Sequence, residues 1–495
     1  MGTAAPLAHR TMAQLDPDPA RVIARLFLPG EELGGQNSRA GAIVAAVLNL
    51  DESEAELLAA RLLEQFGSRH RDYEQLLARH ASIVASHVGE APALSSSRAI
   101  LLGASFTAEY AVEAAALCNP SAVLHPDQSG LAPGQARMAL SLRAIGEGHV
   151  SSIGFCSAVV GPGPLWRFEQ RELPAVAGLV TPARWSRDHL RAVLADQGHT
   201  GELSGAVVHA LPGQFDGTDL ERALAEAQPD LISRSGGQST VDLLRRLVSS
   251  AYEAAFSSDV TLSQRVLLPS AAEESNGMED ARFTRFVEED GRVEFRATYT
   301  AYDGRRIAPR LLVSGDLRVF RAHRLAGPAA RNKGIALFPR KVGGRHLALC
   351  RTDGESISLA SSADGYSWNE PRLIHGPRAA WEVLQVGNCG PPIETEQGWL
   401  VLTHGVGAMR TYSIGALLLD LEDPGRVLAR LRQPLLRPEH GEQDGYVPNV
   451  VYSCGAVVHD GRLWLPYGID DARIGVAWVA MDELLDELLD HPSLD

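Results

Sequence analysis

The sequence is poor in the residues that build disulfide frameworks or thiolate metal sites. Its five cysteines are widely separated, at positions 118, 156, 350, 389 and 454, and none belongs to a CxxC pair. An odd number of scattered cysteines does not fit a disulfide framework, and a zinc site would need closely spaced thiolates. We therefore interpret the cysteines as buried packing residues. The chain also lacks the GxxxxGK[ST] and HExxH motifs of phosphate-binding loops and zinc helices, and we expect no metal and no organic cofactor.

A surplus of positive charge is absent as well. Lysine and arginine total 46 and aspartate and glutamate 61, which gives a formal net charge of −15. Nucleic-acid and anionic-membrane partners are disfavoured, because neutralising phosphates requires an excess of cations. No apolar run approaches the roughly 18 residues of a membrane span, and no basic segment leads into an apolar run between Met1 and Leu28. We expect a cytoplasmic protein.

The 495 residues, of which 45% are hydrophobic, suffice for a large core and one to three domains. Between residues 51 and 88, leucines recur at helical spacing behind an acidic first turn, at positions 57, 58, 62 and 63. This pattern predicts an amphipathic helix whose apolar stripe packs within the chain or against a second copy. Helical patterns also occupy residues 186–196 and 219–256.

From about residue 270 the pattern changes to short apolar runs separated by glycine turns, which is typical of β-structure. Similar strand–turn–strand units, each followed by another apolar run, occur at residues 283–299, 337–350, 392–402 and 457–467, with a further copy at 119–155. Such repeats are typical of propeller blades. We predict a mainly β chain, with a five-bladed β-propeller over residues 106–495. A helical region would occupy residues 1–105 and a helical insertion about 165–265, between blades one and two. A β-sandwich after a separate helical domain is the alternative.

A propeller would bring polar residues from separate blades to the mouth of one central channel. The candidates are Asn119, Arg143, Glu279, Asp280, Arg282, Arg331, Lys333, Arg351, His404, Tyr412, Asn449, Tyr467, Asp470 and Asp471. Cations that meet there would form an anion site, and a carboxylate beside them could donate a proton. Structural interpretations are also open, since Asp280 could simply pair with Arg282 and His404 could be a core histidine.

Several motifs among these residues resemble glycoside hydrolase family 130, the family of β-mannoside phosphorylases and β-mannosidases on a five-bladed propeller. The motifs are NGMEDARF (276–283), LFPRKVGGRHLALCR (337–351), GPPIETEQGWLVLTHGV (390–406), YSIGALLLDLEDPGRVLAR (412–430) and LPYGIDDARIGVA (465–477). The resemblance is dense over about 270–485 and weaker over 119–155. It covers neither the N-terminal region nor the insertion.

The resemblance implies that Asp280 is the general acid. Inorganic phosphate, the co-substrate, would attack a β-mannoside with inversion and release α-mannose 1-phosphate. The residues expected to bind phosphate are Lys333, Arg351, His404 and Tyr412. Those expected to contact the sugar are Asn119, Arg143, Arg282 and Asp471. Members of the family are often oligomeric, so a homo-oligomer is also expected to be possible.

Two positions depart from the family pattern. Gln385 stands where the phosphorylases usually carry a lysine, which weakens the anion site without abolishing it. Arg340 stands where glutamate is common, which is expected to add positive charge nearby. The alternative function is an inverting β-mannosidase in which Glu382 activates a water molecule. A non-catalytic sugar-binding propeller is a further alternative, although it would not need the pair Glu279–Asp280. The linkage and the leaving group do not follow from the sequence.

Overall fold

The computed structural model describes residues 6–28, 38–88, 94–227, 229–233 and 236–490. These residues divide into two compact units. The first unit contains the described residues up to Pro17, Ala115–Arg171, and those from Gly178 onward. The second contains the described residues of Asp18–Ala114 together with Glu172–Ala177. The strand β1 (His9–Leu15), with which the described chain starts, belongs to the first unit.

The second unit is mainly helical. Its elements are β2 (Val22–Leu26), α1 (Arg39–Leu48), α2 (Glu52–Phe66), α3 (Tyr73–Val88), α4 (Ser96–Ser105) and β3 (Thr107–Ala111). The strands β2 and β3 pair in antiparallel register. Small and apolar residues of the helices form a common core that includes Ala55, Ala59, Val84, Leu102 and Phe106.

The helical prediction for residues 51–88 is correct in type and wrong in detail. The segment forms two helices, α2 and α3, rather than one. The side chains of Leu57 and Leu58 are 52% and 37% exposed, while Ala55 and Ala59 face the core. Alanines let helices approach closely, so the interior side of α2 is the alanine side and not the leucine side. Burial of these leucines against a second copy stays a prediction.

The chain then alternates between strands and helices up to residue 267. The strands are β4 (Ala116–Leu124), β5 (Ala136–Ile145), β6 (Ser151–Val160), β7 (Trp166–Phe168), β8 (Val176–Ala177), β9 (Leu179–Pro182), β10 (Trp185–Ser186), β11 (Gln214–Phe215), β12 (Tyr252–Ala255) and β13 (Arg265–Leu267). The helices are α5 (Arg187–Asp196), α6 (Glu202–Ala210), α7 (Gly217–Glu226), α8 (Pro229–Ser233) and α9 (Gly237–Ser250).

The remainder is almost entirely β. Its strands are β14 (Gly277–Val287), β15 (Val293–Tyr302), β16 (Ile307–Ser314), β17 (Val319–Arg324), β18 (Ala336–Leu337), β19 (His346–Cys350), β20 (Ile357–Ser362), β21 (Arg372–His375), β22 (Gln385–Asn388), β23 (Ile393–Thr395), β24 (Gly398–Val406), β25 (Tyr412–Leu419), β26 (Val427–Arg430), β27 (Val451–Tyr452), β28 (Val457–His459), β29 (Arg462–Ile469) and β30 (Arg473–Ala480). The helix α10 (Met481–Leu489) follows the last strand. The prediction of a mainly β chain is confirmed.

These strands form antiparallel groups, β4–β5–β6, β14 to β17, β18 to β21, β22 to β26 and β27 to β30. Single residue pairs link one group to the next. Parallel bridges join Ser151 to Gly277, Val287 to Arg340, Tyr412 to Val450 and Ser121 to Gly455. Between the third and fourth groups, the Val386 N–H donates to the Glu355 carbonyl at 2.9 Å. The bridge at Ser121 links the last group back to the first.

Two pairings differ from the sequence-based expectation. Strand β1, which falls in the N-terminal region expected to be helical, pairs with β30 and extends the last group. The insertion contains the predicted helices, but residues 252–255 form strand β12 instead of continuing a helix. That strand pairs with β17 on one side and with β9 on the other. The domain boundaries inferred from the sequence stay a prediction.

All five cysteines are buried and free, as their spacing predicted. Packing in the β groups is apolar, with Trp399 and Trp464 fully buried. None of the helices in the described part of the chain is long and apolar enough to cross a membrane.

Candidate active site

A cavity of about 650 Å³ in the first unit is lined by residues from all the β groups. The nine residues to which the family resemblance assigned roles all line it, although they span positions 119 to 471, and Asn449 lines it as well. The other candidates, Glu279, Arg331, Tyr467 and Asp470, are not among the lining residues. Arg331 pairs instead with Asp196, the Tyr467 hydroxyl donates to Glu442, and Asp470 is fully buried. The lining also contains Gln385 and residues that the sequence did not single out, Asn332, Gly354, Met409, Arg410, Val447, Pro448, Val450 and Tyr452. The convergence on one cavity is an observation, while the role of each residue stays a prediction.

Backbone bulges direct two of the polar side chains into this cavity. The register of β14 with β15 shifts between Glu279 and Arg282, and that of β4 with β5 shifts between Cys118 and Ser121. Within these shifts Asp280 has φ 56° and Asn119 has φ 49°. Asparagine and aspartate tolerate this left-handed backbone better than most residues, and a bulge redirects the side chain. The Asn119 Nδ2 consequently donates to Asp280 Oδ1 at 2.7 Å.

A chain of ion pairs extends from this contact. The Arg143 guanidinium donates to Asp280 Oδ1 at 3.2 Å and to Glu279 Oε1 at 2.7 Å. The other oxygen of Glu279 accepts from Lys333 Nζ at 2.7 Å. Glu279 therefore holds both Arg143 and Lys333 in place, and part of the positive charge of Lys333 is already balanced.

Two neighbouring carboxyl groups in the cavity have opposite protonation preferences. Burial opposes ionisation of Asp280, but the Arg143 and Arg282 guanidiniums and the Asn119 amide together hold its pKa below the ordinary value. Burial raises the pKa of Asp471 to about 6, with Arg143 opposing the rise and the Asp280 charge adding to it. At neutral pH Asp280 is therefore ionised, and Asp471 becomes neutral at mildly acidic pH.

Arg282 is fixed by bonds to the protein. Its guanidinium donates to the Cys389 carbonyl at 2.7 Å, to the Asp280 carbonyl at 2.8 Å and to Tyr452 Oη at 2.8 Å. The side chain is buried. Since these bonds tie the Asp280 segment to two other β groups, Arg282 positions Asp280 as well as lining the cavity.

Another part of the cavity lining combines a guanidinium with aromatic rings. Arg351 donates to the Gly354 carbonyl at 2.7 Å. The ring of His404 lies 6.2 Å from that of Tyr412 and 4.9 Å from that of Tyr452, measured between centroids. Burial, with Arg351 and Arg282 nearby, lowers the pKa of His404 well below its ordinary value. His404 therefore offers a hydrogen bond to an anion rather than a positive charge.

Close packing at a glycine holds these two side chains together. A Cβ atom at Gly387 would lie 2.5 Å from Arg351 Cδ and Nε and 2.5 Å from His404 Cε1. This glycine sits in β22 opposite His404 of β24. Only a residue without a side chain leaves room for Arg351 and His404 at this point. No sequence motif indicated this requirement.

Arg410 is the most informative residue that sequence reasoning missed. It lies in the loop between β24 and β25 with φ 53°, is exposed, and lines the same cavity as Gln385 and Tyr412. Its guanidinium adds a positive charge to a lining in which Gln385 supplies none. Its proximity to Tyr412 in the sequence was the available signal.

Two expectations are wrong. Glu382 does not line the cavity, because its side chain is buried and accepts hydrogen bonds from the backbone N–H groups of Arg378 and Ala379 at 2.9 and 3.0 Å. Arg340 also lies outside it, pairing with Glu394 at 2.5 Å and lying over the Trp399 ring. Glu382 thus caps a turn and Arg340 packs over Trp399, and neither side chain is among the lining residues of this cavity. In the described ranges, no cluster of three or more histidine, cysteine or acidic side chains is arranged to hold a metal ion.

Comparison with known proteins agrees with the motifs. The model of glycoside hydrolase family 130, described as beta-1,4-mannooligosaccharide phosphorylase, matches residues 258–490. A 1,2-beta-oligomannan phosphorylase of Thermoanaerobacter sp. (strain X514) is 43% identical over 155 residues, which are 31% of this chain and 52% of the relative. The chain thus spans about half the length of that relative.

A beta-1,2-mannobiose phosphorylase of the same organism is 36% identical over 226 residues, 44% of this chain and 72% of the relative. Among solved structures, the beta-1,2-mannobiose phosphorylase of Listeria innocua in complex with beta-1,2-mannobiose has a TM-score of 0.44 and 22% identity. That alignment covers 77% of this chain and 93% of the other. Because the match to the beta-1,2-mannobiose phosphorylase of Thermoanaerobacter covers 72% of that relative at 36% identity, the chain belongs to glycoside hydrolase family 130.

Proposed function

We propose that the protein is an inverting β-mannoside phosphorylase that releases α-mannose 1-phosphate. The observation that carries this proposal is one cavity whose lining contains both Asp280, held by Arg143 and Asn119, and the guanidiniums of Arg351 and Arg410. A proton donor and an anion site in one cavity are what phosphorolysis of a glycoside requires. The relatives reported above are named as mannoside phosphorylases.

We further propose that the β groups are the blades of a five-bladed propeller. Support comes from the residue pairs that link each group to the next and the last group to the first. A ring of blades also accounts for a cavity lined by residues from every group. The strand β1, paired with β30, would then complete the last blade from the other end of the described chain.

In the proposed reaction Asp280 protonates the glycosidic oxygen while the bond from that oxygen to the anomeric carbon breaks. A phosphate oxygen forms the new bond on the opposite face of the sugar, so the configuration inverts. One catalytic carboxyl is sufficient, because phosphate is already an anionic nucleophile and needs no base. No cofactor takes part.

For this role the pKa of Asp280, which its protein neighbours lower, must rise when the substrates bind. A phosphate dianion held by Arg351, His404, Tyr412 and Lys333 would offset part of the positive potential that keeps Asp280 ionised. Binding of phosphate would therefore raise the pKa of Asp280 and favour the protonated acid. Asp280 would therefore carry the proton that it donates mainly when phosphate, the nucleophile, is bound.

The hydrolytic alternative loses its proposed base, since Glu382 is bonded to backbone amides outside the cavity. The acidic residues in the described lining are Asp280 and Asp471. Asp471 is proposed as a sugar contact together with Asn119 and Arg143. In its neutral form it can donate a hydrogen bond to a hydroxyl.

The test is cleavage of β-1,2- and β-1,4-mannobiose with and without phosphate, with the products followed by phosphorus NMR. Turnover should depend on phosphate and yield α-mannose 1-phosphate. Arg351→Ala should raise the KM for phosphate by about 10- to 100-fold, because a charge-assisted bond contributes roughly 1.5 to 3 kcal/mol. Gln385→Lys should lower it, and Arg345→Ala, at an exposed turn, is the charge-matched control. Free mannose formed equally fast without phosphate would show a hydrolase.

A further inference from the structure

A second cavity, of about 570 Å³, lies in the first unit away from the candidate active site. It is bordered by α9, the segment after α5, the turn between β15 and β16, and β17. Its lining is Gln197, His199, Leu243, Arg246, Leu247, Ala272, Glu273, Asp303, Arg305, Arg306, Ile307, Ala308 and Arg324. None of these residues lines the first cavity.

The balance of charge in this cavity is positive, in a chain whose net charge is −15. Glu273 is occupied by ion pairs with Arg310 and Arg324. Within the described ranges of the chain, Arg246, Arg305 and Arg306 form no ion pair with a carboxylate. These three arginines, from a helix and from a separate turn, are exposed and share one open cavity with the Asp303 carboxylate. The four arginines and two carboxylates of the lining leave an excess of two positive charges.

The turn that carries two of these arginines is held rigidly. Asp303 Oδ1 accepts from the backbone N–H groups of Arg305 at 2.8 Å and Arg306 at 2.6 Å. The Tyr302 hydroxyl donates to the carbonyl of Gly304, whose φ of 89° suits glycine. The backbone of the turn is therefore organised before any ligand arrives, which lowers the entropic cost of binding.

The remaining walls suit a ligand with both apolar and hydroxylated faces. Leu243 and Leu247, on the same side of α9 as Arg246, are buried at the cavity wall. The second oxygen of Asp303, Oδ2, forms no hydrogen bond within the described residues and can accept one from a hydroxyl. Gln197 adds an amide to the lining.

We infer that this second cavity is a binding site for a sugar phosphate. A phosphate monoester dianion matches the Arg246, Arg305 and Arg306 guanidiniums, whose planar donors bind phosphate well. A carboxylate, with a single negative charge, would offset less of the positive excess in this lining. The volume lies inside the range of roughly 300 to 1,000 Å³ that is usual for small-molecule sites. The inference goes beyond the proposed function and does not rest on it.

The test uses the full chain with mannose 6-phosphate as the probe and inorganic phosphate as the comparison. Calorimetry measures affinity, and hydrogen–deuterium exchange locates binding. We expect the probe to protect peptides covering residues 197–200, 243–247 and 302–308. The double variant Arg305→Ala/Arg306→Ala should bind it at least about tenfold more weakly, since two charge-assisted contacts are lost.

Arg246→Glu, in α9, should weaken binding to a similar extent. Because Arg246 lies outside the turn, this result would show that the loss of affinity does not come only from distortion of the turn by the double variant. Arg345→Ala, an exposed arginine in another turn, should bind as the natural protein does. Protection confined to segments of the first cavity, or undiminished affinity in the double variant, would overturn the inference. Equal affinity for inorganic phosphate and mannose 6-phosphate would overturn the assignment to a sugar phosphate.

Discussion

The substitution Gly387→Ala tests whether the anion side of the first cavity depends on close packing. The added methyl carbon would lie 2.5 Å from Arg351 Cδ and Nε and 2.5 Å from His404 Cε1. Ordinary carbon contacts are about 3.5 to 4.0 Å, so neighbouring atoms must move by about 1 Å. His404 is 1% exposed within β24 and has no room to yield. Arg351, which is only partly buried, must take the displacement.

A displacement of about 1 Å is large for a charged group that binds an anion, and misplacements of that size can cost about 100-fold in rate. If the contact between Arg351 and phosphate is lost, the KM for phosphate should rise by about 10- to 100-fold. The KM for the mannoside should change much less, because Asn119, Arg143 and Asp471 lie on other β groups. Overpacking of the site should cost stability as well, by about 1 to 3 kcal/mol.

The assay is initial-rate phosphorolysis of mannobiose over a range of phosphate concentrations, with a thermal melt of each variant. Gly154→Ala is the matched control. This glycine is also buried in a strand, but a Cβ atom there would meet only the Cβ of Ala144, at 3.9 Å. The control should leave both the KM for phosphate and the melting temperature nearly unchanged.

A double variant separates a clash with Arg351 from general damage. Arg351→Ala removes the atoms that the new methyl group would strike, so Gly387→Ala should add little to it, whereas independent effects would add fully. An unchanged KM for phosphate in folded Gly387→Ala protein would refute the reasoning. Full additivity with Arg351→Ala would also count against it.

Three further predictions concern other parts of the molecule. Asp280→Asn should lower kcat on mannobiose by about 10²- to 10⁴-fold without loss of fold, and should lower kcat less on substrates with good leaving groups. Initial rates on both kinds of substrate test this, and a near-native rate on mannobiose would exclude Asp280 as the acid. The pKa of Asp471, raised from 3.8 to about 6, means that the folded chain retains a proton that the unfolded chain releases. The free energy of unfolding should therefore fall by about 3 kcal/mol as pH rises from about 4 to 6, a dependence that Asp471→Asn should remove from urea titrations. Removal of residues 1–17 takes away the pairing of β1 with β30 and the stacking of His9 on Trp478. The melting temperature of the truncated protein should therefore drop, and an unchanged melting temperature would contradict the assigned role of β1.

The residues of the candidate site could be named from the sequence because the motifs that contain or neighbour them resemble a known family, and that resemblance implied a role for each. Asp280, Lys333 and Arg351 occur beside predicted strands, and a carboxylate near several cations suggests proton donation to a bound anion. The alternation of apolar residues likewise predicted the β character, since the period of two is a local property. The spacing and number of the cysteines predicted correctly that they are buried and free.

Only the tertiary structure decided which neighbours of these motifs enter the cavity. Gln385 and Glu382 are three residues apart, yet the first lines the cavity and the second caps a turn. Arg410 reaches the cavity through a loop conformation with positive φ that its local sequence does not reveal. The direction of a side chain at a turn depends on backbone angles set by the surrounding packing.

The tertiary structure also decided which charged side chains pair in the cavity and which strand the N-terminal strand β1 joins. Glu279 takes part of the charge of Lys333, and Arg143 keeps Asp280 ionised, through contacts between residues far apart in the sequence. Strand β1 pairs with β30 across almost the whole chain. Sequence patterns report the period and chemistry of each segment. Pairings and electrostatic fields depend on which distant segments meet, and that is settled only when the whole chain buries its apolar surface.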